Sequence, residues 1–94
     1  MAMKTMHKHE IPITDQPIEI DLQVGAVVHR VEFLVPDKKV YMWVEVDANL
    51  NAPKKTRIFH VYRSGDGVPK HYHYVGTAID QYIPEAYHVY EKIE

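Results

Sequence analysis

Between Ile18 and Val24 the chain sets Ile18, Ile20, Leu22 and Val24 at every second position, with Glu19, Asp21 and Gln23 between them. A period of two is what an extended strand with one buried face requires. The pattern recurs along the whole sequence. Thr5, His7, His9 and Ile11 alternate with Lys4, Met6, Lys8 and Glu10, a polar strand suited to a sheet edge. From Ala26 to Val35, the residues Val27, His29, Val31, Phe33 and Val35 share one face, and from Val40 to Val46 the residues Val40, Met42, Val44 and Val46 stand opposite Tyr41, Trp43 and Glu45. Aliphatic residues on one side and Tyr-Trp on the other mark that last strand as central, or as covered by another subunit. Further runs follow at Ile58 to Arg63, with Phe59 and Val61 on the buried face, at His71 to Thr77, with His71, His73 and Val75 on one face and Tyr72, Tyr74 and Gly76 on the other, and at Ala86 to Ile93. No segment of a dozen residues has apolar positions at helical spacing, and β-branched and aromatic residues dominate the periodic runs. The expectation is an all-β fold: a single small domain over residues 1–94, of six to seven mostly antiparallel strands, built as a sandwich or open barrel, with no substantial helix.

Turn chemistry divides these runs. Pro12 ends the first, Pro36-Asp37-Lys38-Lys39 predicts a hairpin turn, and Asp47 to Thr56 is the longest loop. Ser64-Gly65-Asp66-Gly67 supplies two residues that tolerate positive φ and an Asp able to bond its own backbone, so a second hairpin is predicted between Ile58–Arg63 and the strand starting near His71.

With 94 residues the chain buries enough surface for one modest core. It has no cysteine, which excludes a disulfide scaffold, a thiolate metal site and a cysteine nucleophile. Apolar runs are too short for a membrane span and the N-terminus lacks an apolar leader, so a location inside a cell is expected. A formal charge of −2 gives no general attraction to polynucleotides, so an anionic partner must be met by a local cluster.

Such a cluster surrounds the second predicted turn. Arg63 and Lys70 flank it, and His71, Tyr72, His73 and Tyr74 follow. Cations pair phosphates and aromatic faces stack bases, so these six residues are the candidate binding set for a small anionic or nucleotide ligand. Ser64-Gly65-Asp66-Gly67 can offer backbone N–H groups to a phosphate, but it lacks the Lys-Ser/Thr ending of a phosphate-binding loop and precedes no helix. A plain turn beside half-buried tyrosines accounts for the same residues without a ligand. Lys54, Lys55 and Arg57 form a second small basic cluster, of the kind that usually serves solubility.

His7-Lys-His9 and His71-Tyr-His73 put paired imidazoles on one strand face, yet a metal needs a third ligand, for which His88, His60 or Asp66 would have to converge. The cupin pattern is broken because Val75-Gly76-Thr77-Ala78 follows where its Glu belongs. The only serine, Ser64, sits in a turn without a nucleophile elbow. No cofactor is implied and no catalytic set is legible.

The order of the pieces resembles a family of small uncharacterised proteins encoded mainly by bacteriophages and prophages. The resemblance rests on Met-Lys-Thr-Met-His-Lys-His-Glu-Ile-Pro, Val-Gly-Ala, Met-Trp-Val-Glu-Val-Asp, Tyr-Val-Gly-Thr and Tyr-His-Val-Tyr-Glu, and covers nearly everything from Met3. Where such relatives have a Gly-Thr-Gly-His-Pro-like loop, this chain has Ser64 to Pro69, and Tyr87 stands where they have Trp. The resemblance implies a phage accessory protein in a host cytoplasm, either sequestering a cyclic-nucleotide immune signal or gripping a host protein. The leading expectation is therefore a non-catalytic homo-oligomer that binds a small anionic ligand. An inhibitor docking Tyr41, Trp43 and an edge strand on a host factor is the alternative, and a metal-dependent enzyme using the His-x-His pairs is the third.

Overall fold

In the computed structural model, which describes residues 2–94, seven strands form two sheets and no helix is present among the described residues. They are β1 (Lys4–Ile11), β2 (Ile18–Gln23), β3 (Val27–Leu34), β4 (Lys39–Asp47), β5 (Lys54–Arg63), β6 (Tyr72–Asp80) and β7 (Glu85–Lys92). One sheet has the order β1-β4-β3 and the other β2-β5-β7-β6, with every ladder antiparallel. The fold is the expected all-β domain, and β4, whose Val40, Met42, Val44 and Val46 are all buried, is the central strand of its sheet. These four pack with Phe33, Phe59, Val61, Tyr87 and Val89 into one core between the sheets. The β3–β4 hairpin forms as the Pro36-Asp37-Lys38-Lys39 turn predicts, with Lys38 at positive φ.

The second predicted hairpin does not form. β5 and β6 are both hydrogen-bonded to β7, which lies between them, so they run parallel and residues 64–71 are a crossover. Asp66 explains how the turn is used: its N–H donates to the Arg63 carbonyl at 3.0 Å and its Oδ2 accepts the Arg63 N–H at 2.8 Å, ending β5 and turning the chain off the sheet. β5 stops level with Tyr87 and β6 starts level with Lys92. That is about 17 Å along the strands and about 10 Å across them. The connection has to cover about 20 Å on the diagonal, within its extended reach of about 30 Å.

Three other expectations are corrected. A bulge between Val28 and Arg30 shifts β3, so Val28 rather than Val27 and His29 joins Val31 and Phe33 against the core. A bulge between Tyr74 and Gly76 does the same in β6: Gly76 and Ala78 turn inward, while Tyr72, Tyr74 and Thr77 face out beside Lys92, Tyr90 and His88. Gln23, expected on the wet face of β2, is buried because its amide clamps β2 to β4. Its Nε2 donates to the Asp47 carbonyl at 2.9 Å and its Oε1 accepts the Asp47 N–H at 2.8 Å. That reciprocal pair satisfies both ends of the amide.

Candidate functional site

The outer face of the four-stranded sheet carries an aromatic layer. Alternation puts His60 and Tyr62 of β5, His88 and Tyr90 of β7, and Tyr72 and Tyr74 of β6 on this face. The rings meet mostly edge to face. Tyr62 lies 5.6 Å from Tyr90 and 6.1 Å from Tyr72, Tyr74 lies 5.6 Å from Tyr90, and His60 lies 4.2 Å from Tyr62. Edge-to-face pairs favour the opposite polarities of ring edge and ring face, which holds such a layer in register. Tyr62 is only 7% exposed although it is on the outer face, whereas Tyr74 is 56% exposed.

Burial, with Tyr72 adding a smaller repulsion, pushes the Tyr62 phenol above its ordinary pKa. The folded protein therefore holds this proton where the unfolded chain releases it. The contribution of this group is intact below about pH 10 and is lost as pH rises above that. Absorbance titration at 295 nm is expected to show a late-titrating phenol that Tyr62→Phe removes. The same variant should reduce the loss of urea stability between about pH 9 and 11. Tyr41, raised chiefly by its hydrogen bond to Asp37, is the second late phenol, and Tyr41→Phe separates the two.

A cleft of about 480 Å³ adjoins this layer where β2 stops short of the end of β5. Ile13, Thr14 and Asp15 form one wall, His60 to Arg63 the other, and Asp66 and Gly67 the rim. Its floor has unused hydrogen-bonding capacity, which follows from strand parity. The Ile93 N–H donates to His71 at 2.6 Å, so odd-numbered residues of β7 face β6 and the even-numbered ones face β5. His60 and Tyr62 are paired with Tyr90 and His88, which leaves the backbone groups of Phe59, Val61 and Arg63 facing the other way. Phe59 meets Ile18 and Arg63 is taken by Asp66, but Val61 has no such partner among the described residues. Its N–H and C=O are directed into the cleft.

The six residues singled out by sequence are divided among four places. Arg63 lines the cleft, with its guanidinium 5.8 Å from the ring of the inward-facing Tyr87. Tyr72 and Tyr74 belong to the aromatic layer, and His71 stands 5.0 Å from Tyr72 at its margin. His73 turns to the inner face, 3.7 Å from Glu91. Lys70 is exposed on the crossover. The layer thus joins Tyr72, Tyr74 and His71 to the cleft through His60 and Tyr62. The binding set read from the sequence did not include His60, Tyr62, Tyr90 or His88, of which His60 and His88 were considered only as metal ligands. Alternation did place His60 with Tyr62, but their relation to β6 depends on β7 lying between.

Neither His-x-His pair gathers a third ligand, and among the described residues no group of three or more His, Asp or Glu could hold a metal ion. His7 and His9 instead border a small gap beside Asp21 of β2, and partial burial, then His7, lowers the His9 pKa. Among the described residues no helix is long and apolar enough to cross a membrane.

No curated protein and no solved structure matches the chain. A family model described as a domain of unknown function, DUF7352, matches residues 3–94, and the chain therefore belongs to that family.

Proposed function

We propose that this chain is a non-catalytic binding protein that takes a small anionic ligand with a planar ring, a nucleotide by chemical class. In this reading it is a phage accessory protein that sequesters a cyclic-nucleotide immune signal in the host cytoplasm. The observation that carries the proposal is the continuity between the cleft and the aromatic layer: His60 and Tyr62 belong to both, and Arg63 brings a cation to the wall of the same cleft. The cleft volume of about 480 Å³ suits a small molecule. The N–H groups of Gly65 and Gly67 take no part in the backbone bonds of the turn, and the Val61 N–H offers a further donor. Asp15 and Asp66 also border the cleft and favour a ligand that brings hydroxyl donors, such as a ribose, over a dense polyanion. A homo-oligomer goes with this reading, since Ile79, Tyr82 and Ile83 leave an exposed apolar tip that a copy would cover.

Thermal shift against a panel of cyclic mono- and dinucleotides tests the proposal. A ligand at 100 times its Kd adds about 2.7 kcal/mol, which for a domain this size raises Tm by about 10–20 °C. Arg63→Ala should abolish the rise. If no member of the panel moves Tm, the nucleotide reading fails.

One observation favours a second reading, a grip on a host protein: the unpaired backbone of Val61 is a place where an extended peptide can add to β5. Tyr41 and Trp43, the other proposed docking residues, are half-buried on the outer face of β4, where Lys8 covers Tyr41 at 4.7 Å.

A further inference from the structure

The turn that begins the crossover holds Ser64 against the outer face of β7. Ser64 Oγ lies 3.0 Å from His88 Nε2, and His88 Nδ1 lies 3.0 Å from Thr77 Oγ1, which is itself 2.5 Å from the Tyr74 hydroxyl. Three elements brought together only by the fold, the 64–71 crossover, β7 and β6, thus place a hydroxyl, an imidazole and a second hydroxyl in line. A nucleophile hydrogen-bonded to a base, whose other nitrogen is held by a third group, is the arrangement that activates serine in acyl transfer.

We infer that Ser64 is an acylatable serine, with His88 as its base and Thr77 as the positioning residue that sets the His88 tautomer. Thr77 Oγ1 has two lone pairs, so it can accept both the Tyr74 O–H and the His88 Nδ1–H. His88 Nε2 is then left with its lone pair toward Ser64. In the reaction the Ser64 O–H proton passes to His88 Nε2 as Oγ bonds to the carbonyl carbon of an activated ester. The carbonyl re-forms as the bond to the leaving alcohol oxygen breaks, and the alcohol leaves with the proton from His88. The product is acyl-Ser64 and one free alcohol. The ligand class is a small activated acyl donor, and the inference is independent of the nucleotide proposal. Ser64 and Gly65 are exposed, so a small donor has access.

4-Nitrophenyl acetate is the probe, read by peptide mass spectrometry for a single acetyl on Ser64. The rate at Ser64 in the folded protein is expected to exceed that of the same chain in urea by about 100-fold or more, the usual contribution of a positioned base. His88→Gln should remove that excess with the fold intact by circular dichroism. Thr77→Val should lower it and Thr77→Ser restore it, and nitrogen-15 NMR should find the His88 proton on Nδ1 in the wild type but not in Thr77→Val. Acetyl groups confined to lysines and the N-terminus, or a Ser64 rate equal to that in urea, would overturn the inference.

Discussion

Glu91→Ala is expected to lower the unfolding free energy by about 3 kcal/mol, because it strands a largely buried guanidinium. Glu91 lies on the inner face of β7 with its side chain only 9% exposed, and Arg57 of β5 meets it with a side chain 15% exposed. The pairing is bidentate, with Arg57 Nε donating to Oε2 at 2.5 Å and Nη2 donating to Oε1 at 2.7 Å. Arg57 Nη1 spends its remaining reach on the Ala26 carbonyl at 2.8 Å, tying the turn after β2 to the pair. The hydrogen bond to Glu91 raises the Arg57 pKa against the opposing effect of burial, so the guanidinium stays charged at every ordinary pH and cannot relieve its burial by losing a proton. For a domain of this size a loss of 3 kcal/mol lowers Tm by about 12–24 °C. Replacing both partners with apolar residues of similar length, Arg57→Met with Glu91→Leu, should recover most of the loss, because neither buried charge then remains. Urea unfolding of the two variants decides the matter. A Glu91→Ala variant within about 0.5 kcal/mol of the wild type, the usual range for surface substitutions, would mean that water reaches Arg57 freely.

This pair also marks where sequence reading stops. Arg57 was legible only as part of a small basic cluster with Lys54 and Lys55, because nothing local announces that β7 will lie beside β5. What alternation could reach was the class of fold, the central place of β4 and the β3–β4 hairpin, since each depends on residues close in sequence. It failed where one residue changes the phase. The bulges at His29 and Val75 each turn the following residues over, so a strict period of two assigns part of β3 and β6 to the wrong face. The Ser64-Gly65-Asp66-Gly67 turn was read correctly as a turn, but a turn signal does not say which strand the chain meets next. The candidate site inherits that ambiguity. Tyr72 and Tyr74 do converge with other rings, but with His60, Tyr62 and Tyr90, which are neighbours through β7, while Arg63 lines the adjoining cleft with its guanidinium over Tyr87 and His73 turns to Glu91.

Gly76→Val is expected to cost about 3 kcal/mol, at the upper end of overpacking penalties, and to do so through one contact. A Cβ at Gly76 would stand 2.9 Å from Val31 Cγ2 and 3.1 Å from Val31 Cβ, where β3 and β6 approach without a ladder between them. Its backbone is not in the left-handed region that Gly25 and Gly65 occupy, so the cost is steric rather than conformational. Val31 has little room to retreat, since it is buried in the same core as Phe33, whose ring stacks on Tyr87 at 5.7 Å. Val31→Ala opens space where the new side chain needs it. The double variant should therefore be more stable than the sum of the single losses by about 1–2 kcal/mol, the coupling typical of residues in contact. Gly76 follows directly on the bulge that turns Tyr74 and Thr77 outward, so the tight seam with Val31 fixes where that bulge can sit. If Gly76→Val instead unfolds in urea like the wild type, the seam is loose. The positions of Tyr74 and Thr77 on the outer face would then have to be set by β7 alone.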